Sequence, residues 1–172
     1  MKIMVAGYSG SGKSTLARAL SERCGVPALH LDAVQFRENW QERPREEQRE
    51  ILKAFLDSNA GWVVDGNYTW NHFERRLEEA DRIVLMLFPR LAALWRVTKR
   101  YRTYKGKTRP DMGEGCTEKL DWAFVRWVLW EGRGKKQRAR WRDVAARYPE
   151  KCVVLRSQRQ IDRWMRSIGI SM

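Results

Sequence analysis

The sequence contains no uncharged apolar run of about 18 residues, the length a membrane-spanning helix requires. Its cysteines number only three, Cys24, Cys116 and Cys152. They are odd in number and widely separated, and they share no metal-ligand spacing with His30 or His72. Reduced thiols are therefore expected, with Cys116 a candidate redox-sensitive one because it falls in a polar, glycine-bearing stretch. No apolar signal core precedes the first strand-like residues, so a cytoplasmic protein with no membrane partner is expected. Linkers, internal repeats and low-complexity tracts are also missing. At 172 residues the chain reads as one domain spanning 1–172.

Acidic residues are scarce in the second half. Residues 1–88 carry 12 Lys/Arg against 13 Asp/Glu, whereas residues 89–172 carry 22 against 8. The whole excess behind the net charge of +13 thus lies after residue 88. Three readings stay open: a solvated basic face, arginines of a phosphoryl-transfer site, or a nucleic-acid surface. The run from Gly132 to Arg138 has the composition of a basic patch, and a helix starting near Lys135 would present it to solvent.

Against this background one octet decides the chemistry. Gly7 to Ser14 reads G-Y-S-G-S-G-K-S, a complete phosphate-binding loop between the apolar run Ile3-Met4-Val5-Ala6 and a helical pattern from Lys13 to Arg23. Such a loop turns successive backbone N–H groups toward one anion. Gly7, Ser9, Gly10, Ser11, Gly12, Lys13, Ser14 and Thr15 are the expected nucleotide contacts, with Lys13 at the β- and γ-phosphates and the Ser14 hydroxyl on Mg²⁺. ATP is preferred to GTP, since no N-K-x-D segment occurs, and the L-S-G-G-Q signature of transporter ATPases is missing too.

Apolar runs alternate with amphipathic segments, the pattern of a parallel α/β sheet. Strands are expected at Lys2 to Ala6, Ala28 to Leu31, Trp62 to Asp65, Arg82 to Phe88 and Cys152 to Leu155. Helices are expected at Lys13 to Arg23, Pro44 to Leu56, Asn71 to Glu79 and Leu91 to Tyr104. Ile83 to Phe88 has no polar residue, which marks a strand buried on both faces. Residues 105–116 are polar with spaced glycines and read as a lid. Asp32 and Asp65 each follow a strand, at the sheet edge where a phosphate loop opens. Asp65 is the candidate for the metal and Asp32 for orienting or deprotonating the acceptor. A helix N-cap or a turn carboxylate is the alternative for both.

Nine tryptophans are unusual for this length. Trp122, Trp127 and Trp130 lie with Phe124 in an expected helix from about Glu118, and the spacing of Trp127 and Trp130 predicts a shared core face. Trp40, Trp62 and Trp70 sit near the acceptor loops, where a ring would stack on a planar group.

These segments together resemble the adenylate-kinase-related P-loop proteins known in bacteria as DNA topology modulation proteins. The resemblance rests on Gly7 to Thr15, on Leu31-Asp32 followed by Trp40, on Asp65-Gly66-Asn67-Tyr68, and on Arg109-Pro110-Asp111-Met112 running into Gly115-Cys116. It implies a P-loop NTPase three-layer sandwich of the nucleoside-monophosphate-kinase type, with a five-stranded parallel sheet in the order 2-3-1-4-5. It also implies phosphoryl transfer from ATP with Mg²⁺ to an acceptor that the sequence leaves unnamed: a nucleotide, a nucleoside or a small metabolite. Adenylate kinases carry D-G-F-P-R after a central strand; here Asp65-Gly66 matches, but Thr69 stands where the arginine is expected. Arg75 or Arg76 is the candidate substitute. Arg96 and Arg100 resemble the arginines entering a kinase lid, and Arg109 one on its returning side, so Arg100 and Arg109 join Lys13 and Asp32 as candidate catalytic residues. Two other readings use the basic half: a nucleotide-switched regulator that binds nucleic acid, and a polynucleotide-end kinase.

Overall fold

A computed structural model describes residues 1–107, 115–118 and 120–168. Five strands, β1 (Lys2–Gly7), β2 (Ala28–His30), β3 (Trp62–Asp65), β4 (Arg82–Met86) and β5 (Cys152–Leu155), form one parallel sheet in the order β2-β3-β1-β4-β5. Around it lie α1 (Lys13–Cys24), α2 (Leu31–Gln35), α3 (Arg45–Ser58), α4 (Phe73–Glu79), α5 (Arg90–Tyr104), α6 (Trp122–Leu129), α7 (Lys135–Arg147) and α8 (Gln158–Ser167). The fold class and strand order expected from the sequence are thus present.

The central strands are apolar throughout because both of their faces are covered. Along β1, Met4 and Ala6 join a core with Leu52 and Leu56 of α3, Leu77 of α4 and Trp141 and Val144 of α7. Ile3 and Val5 point the other way, to Leu16, Ala17 and Leu20 of α1 and Ile161 and Met165 of α8. Strand β4 splits likewise, Ile83 and Leu85 to the first core and Val84 and Met86 to the second. This period of two across a fully buried strand makes a three-layer sandwich. A smaller cluster of Ala93, Val97 and Val128 joins α5 to α6.

Several boundaries differ from expectation. Strand β2 stops at His30, and Leu31 opens a five-residue helix, so Asp32 stands in the first turn of α2 and not on a strand end. Strand β4 ends at Met86, and α4 starts at Phe73 after His72, which adopts a left-handed backbone. Helix α6 starts at Trp122, because the Asp121 carboxylate accepts the Phe124 N–H at 2.7 Å and caps it there. It thus begins four residues later than the start expected near Glu118. The expected core face of that helix is also wrong: Trp122, Trp127 and Trp130 are 72%, 43% and 51% exposed, and Val128 is the residue turned inward. Trp62, by contrast, is fully buried in the core, so its ring offers no open face for stacking. Among the described residues no helix is long and apolar enough to cross a membrane.

Candidate active site

The turn from β1 into α1 builds the phosphate loop. Gly7, Gly10 and Gly12 all have positive φ, at 130°, 76° and 90°. At Gly7 a Cβ would lie 2.3 Å from the Met86 carbonyl oxygen, so only glycine lets β1 leave the sheet there. Gly12 is the N-cap of α1 and has no side chain to offer the first-turn N–H groups. Those groups belong to Lys13, Ser14 and Thr15, and with the positive end of the helix dipole they favour an anion.

Ser9, Gly10, Gly12, Lys13, Ser14 and Thr15 line a cleft of about 1520 Å³. Gly7 and Ser11 do not reach it and act from beneath. The Ser11 hydroxyl and N–H both donate to the Tyr8 carbonyl, at 2.7 and 3.3 Å, closing the loop on itself. Lys13 Nζ donates to the same carbonyl at 3.2 Å. Gly7 is clamped by Asn67, whose Oδ1 accepts the Gly7 N–H at 2.9 Å while its Nδ2 donates to the Gly7 carbonyl at 2.6 Å. Asn67 belongs to the Asp65-Gly66-Asn67-Tyr68 segment, but its pairing with Gly7 is not legible there, because it depends on β3 lying beside β1.

Asp32 and Asp65 both line the same cleft. Asp65 ends β3 opposite His30 in register, and its Oδ2 lies 3.1 Å from His30 Nδ1. Asp32 Oδ1 accepts the Tyr68 hydroxyl at 2.7 Å, and that hydroxyl also lies 2.5 Å from Gln35 Oε1. Gln35 Nε2 in turn donates to Glu42 at 2.9 Å. Burial, followed by the charge of Asp32, pushes the Tyr68 phenol far above its ordinary range, so it stays a donor.

The arginines divide sharply. Arg76 is fully buried and donates to the Gly66 carbonyl at 3.1 Å and the Tyr68 carbonyl at 2.7 Å. Burial pulls its guanidinium below the ordinary arginine range, with Asp65 acting in the opposite sense. Arg75 faces outward to Asp57 and Glu79, both at 2.6 Å. Neither replaces the arginine missing at Thr69, since one braces the loop that carries Tyr68 and the other serves the surface. On α5, Arg96 reaches the phosphate loop, donating to the Ser11 carbonyl at 3.3 Å and to Gln158 at 2.7 Å. Arg100 also lines the cleft and binds the nearly buried Glu118 through Nε and Nη2, at 2.9 and 2.7 Å. Arg109 and most of the expected lid at 105–116 lie outside the described residues.

Other expectations fail on burial. Arg133, from the basic run, is interior: it donates to the Val128 and Phe88 carbonyls at 2.7 and 2.5 Å and stacks on Tyr8 at 4.3 Å. Cys116 is buried, its Sγ accepting the Trp40 N–H at 3.3 Å and donating to the Arg37 carbonyl at 3.2 Å, so it is not an exposed redox thiol. Trp40 and Trp70 do line the cleft, as does Trp127, whose Nε1 donates to Ser9 Oγ at 3.2 Å.

A family model described as an AAA domain matches residues 3–114, which include the phosphate loop, both aspartates and α5. The chain belongs to this AAA-domain family. No curated protein matches it. Among solved structures, this AAA-domain protein resembles TT1252 from Thermus thermophilus, at 16% identity and a TM-score of 0.59 over 98% of this chain and 96% of that one. It also resembles shikimate kinase from Acinetobacter baumannii in complex with shikimate, at 18% identity and a TM-score of 0.51 over 99% and 95% of the two chains. At such identities the likeness is one of fold, that of a P-loop kinase.

The residues present fit a nucleotide and a divalent cation. The glycine cradle and the uncapped start of α1 suit a polyphosphate, and Ser14 and Asp65 bring hard oxygen donors to one cleft, as Mg²⁺ requires. Among the described residues no cluster of three or more His, Cys, Asp or Glu forms a metal site of its own.

Proposed function

We propose that this AAA-domain protein is an ATP- and Mg²⁺-dependent phosphotransferase that moves the γ-phosphoryl group to the hydroxyl of a small acceptor, and on the segments it shares with them we group it with the DNA topology modulation proteins. The observation that carries this reading is the continuity of the cleft from the phosphate loop to the Asp32–Tyr68 pair. A single small ligand fills roughly 300–1,000 Å³. A cleft of about 1520 Å³ has room for donor and acceptor together.

In this reading the acceptor oxygen bonds to the γ-phosphorus while the bond from that phosphorus to the β,γ-bridging oxygen breaks. The hydroxyl proton passes to Asp32 and the nucleoside diphosphate departs with the electron pair. Lys13 and the first-turn amides of α1 hold the phosphates, Ser14 and Asp65 serve Mg²⁺, and Arg96 stands beside the loop as a second cation. Arg100 contributes to the transferring group once it exchanges Glu118 for phosphate oxygens. The test is ADP release across nucleosides, nucleoside monophosphates, small metabolites and oligonucleotides. Lys13→Ala lowers acceptor-dependent release by at least about 100-fold, through lost stabilisation of charge in the transition state. Full turnover in that variant defeats the mechanism.

A further inference from the structure

Large apolar side chains reach solvent in one region of the molecule. Apart from Met1, those that stand exposed among the described residues are Leu91 and Trp95 of α5, at 79% and 64%, and Trp122, Trp127 and Trp130 of α6 and its C-cap. Leu91, Trp95, Lys99 and Arg102 recur at helical spacing and form one exposed stripe along α5, opposite the buried Ala93 and Val97. Trp122, Arg126 and Trp130 do the same along α6, with Trp127 beside them and Val128 turned inward. The stripes approach each other at the cleft, which Trp95 and Trp127 both line and where Trp127 reaches Ser9 of the phosphate loop. Among the described residues Trp122 and Trp130 make no ring or cation contact, and the cation on Trp95 is Lys99 of its own stripe, 5.4 Å from the ring centroid.

The charge on these helices has one sign. Helix α5 carries five cations, Arg90, Arg96, Lys99, Arg100 and Arg102, and no carboxylate; α6 carries Arg126 and no carboxylate. The acidic side chains nearest them in the described sequence are engaged: Glu118 holds Arg100, Asp121 caps α6, and Glu131 pairs with Arg126 at 2.6 Å. Rings interleaved with cations suit an occupant that has flat apolar faces and a repeating negative charge. Bases stack on the rings and phosphates meet the cations, as in single-stranded nucleic acid. A duplex keeps its base faces inside its own stack. An amphipathic membrane helix sets its cations on the face opposite its rings, whereas Lys99 and Arg126 stand in the same stripes as the tryptophans. A second copy of this chain would bring two carboxylate-free cationic helices against their like.

We infer that the exposed faces of α5 and α6 form a stacking platform for single-stranded nucleic acid, with Trp95, Trp122, Trp127 and Trp130 taking bases and Lys99, Arg102 and Arg126 taking phosphates. The platform requires no phosphoryl transfer and stands or falls apart from the reaction proposed above.

Fluorescence anisotropy of the full chain with a fluorescein-labelled oligothymidylate of about 20 nucleotides tests it. The comparisons are the same strand made abasic throughout and a blunt duplex of equal length. The base-bearing single strand binds at least about tenfold tighter than either, a difference of about 1.4 kcal/mol. Joint Trp122→Ala and Trp130→Ala substitution weakens that strand by about tenfold or more through lost stacking, and leaves the thermal midpoint in place because both rings are exposed. The logarithm of the association constant falls against the logarithm of salt concentration with a slope of about −2, from about three phosphates at about 0.7 each, and Arg102→Ala reduces that slope by about 0.7. Equal affinity for the abasic strand, preference for the duplex, or full affinity in the double tryptophan variant overturns the inference. No binding of the strand at low salt overturns it as well; phosphatidylserine vesicles and sedimentation velocity, each with and without the double substitution, then show whether a membrane or a second copy takes the face instead.

Discussion

The Asn67 side chain grips the backbone of Gly7 from both sides, accepting its N–H at 2.9 Å and donating to its carbonyl at 2.6 Å. Gly7 is the residue at which β1 leaves the sheet, and Gly66 N–H donates to the Val5 carbonyl at 3.1 Å just before it. The loop after β3 therefore fixes the direction in which the phosphate loop sets out. That coupling joins the side of the cleft that carries Tyr68 to the phosphate loop.

Asn67→Ala leaves a backbone donor and acceptor without partners at the entry to the loop. Each such loss costs about 1–3 kcal/mol where water does not replace the partner. The expected outcome is a comparable drop in unfolding free energy by urea titration and nucleotide affinity weakened by about tenfold. Asn67→Asp keeps the acceptor for the Gly7 N–H but sets a carboxylate against its carbonyl, and falls further. A variant with wild-type ADP affinity shows that the loop holds its shape without the clamp.

Arg75 and Arg76 are neighbours in sequence with opposite energetics. Removing Arg76 leaves the Gly66 and Tyr68 carbonyls without a donor and opens a cavity in the core. Arg76→Ala is expected to cost about 3–5 kcal/mol. Arg75→Ala breaks only ion pairs that are partly exposed to water, each worth less than about 1 kcal/mol. Parallel chemical denaturation of the two variants measures the contrast. Equal and small losses would mean that the Gly66 to Tyr68 turn stands without its guanidinium brace.

What the sequence reveals is the part governed by local pattern. The phosphate loop, the doubly buried run at Ile83 and the strand at Trp62 announce themselves by spacing and by uninterrupted apolar residues. Placement that depends on a distant partner is not so visible. Helical spacing groups Trp127 with Trp130 but does not say which face of α6 meets α5, and Val128 proves to be the buried one. Likewise Arg76 reads as a cation for phosphate and Arg133 as part of a basic run open to solvent, and only the packing around them shows that backbone carbonyls are their partners. Helix α8 carries a usable signal in Ile161, Trp164, Met165 and Ile168, although it is not among the helices expected from the pattern. The Asn67 clamp leaves no local signature at all.

In the proposed reaction Tyr68 positions Asp32, through its 2.7 Å hydrogen bond to Oδ1. Its phenol is held protonated by burial and by the carboxylates around it, so it donates to Asp32 across the whole working range of pH. Tyr68→Phe removes that hydrogen bond while keeping the ring at the cleft. The expected effect is a fall in kcat of about tenfold, the weight of one hydrogen bond to a charged group, with the KM for nucleotide unchanged. The wild-type rate profile shows no inflection from Tyr68 up to about pH 10, the ordinary tyrosine value. A shift in nucleotide KM with kcat intact would instead assign Tyr68 to the donor end.

Cys152 opens β5, and burial pushes its thiol from 9.0 up to about 11. The neutral thiol is the form the fold accommodates. Below pH 9 both folded and unfolded chains keep the proton, and between 9 and about 11 the unfolded chain loses it first. Stability is therefore fully retained below that window and falls as pH rises through it. The same displacement governs reactivity, because the thiolate is the nucleophile. At pH 8 a thiol near 9 is about 10% ionised and one near 11 about 0.1%, a ratio of about one hundred. Iodoacetamide labelling, followed at Cys152 by peptide mass spectrometry, is expected to run about a hundredfold slower in the folded chain than in urea. Equal rates in the two states would show that the start of β5 opens to solvent, and the stability loss between pH 9 and 11 would then vanish with it.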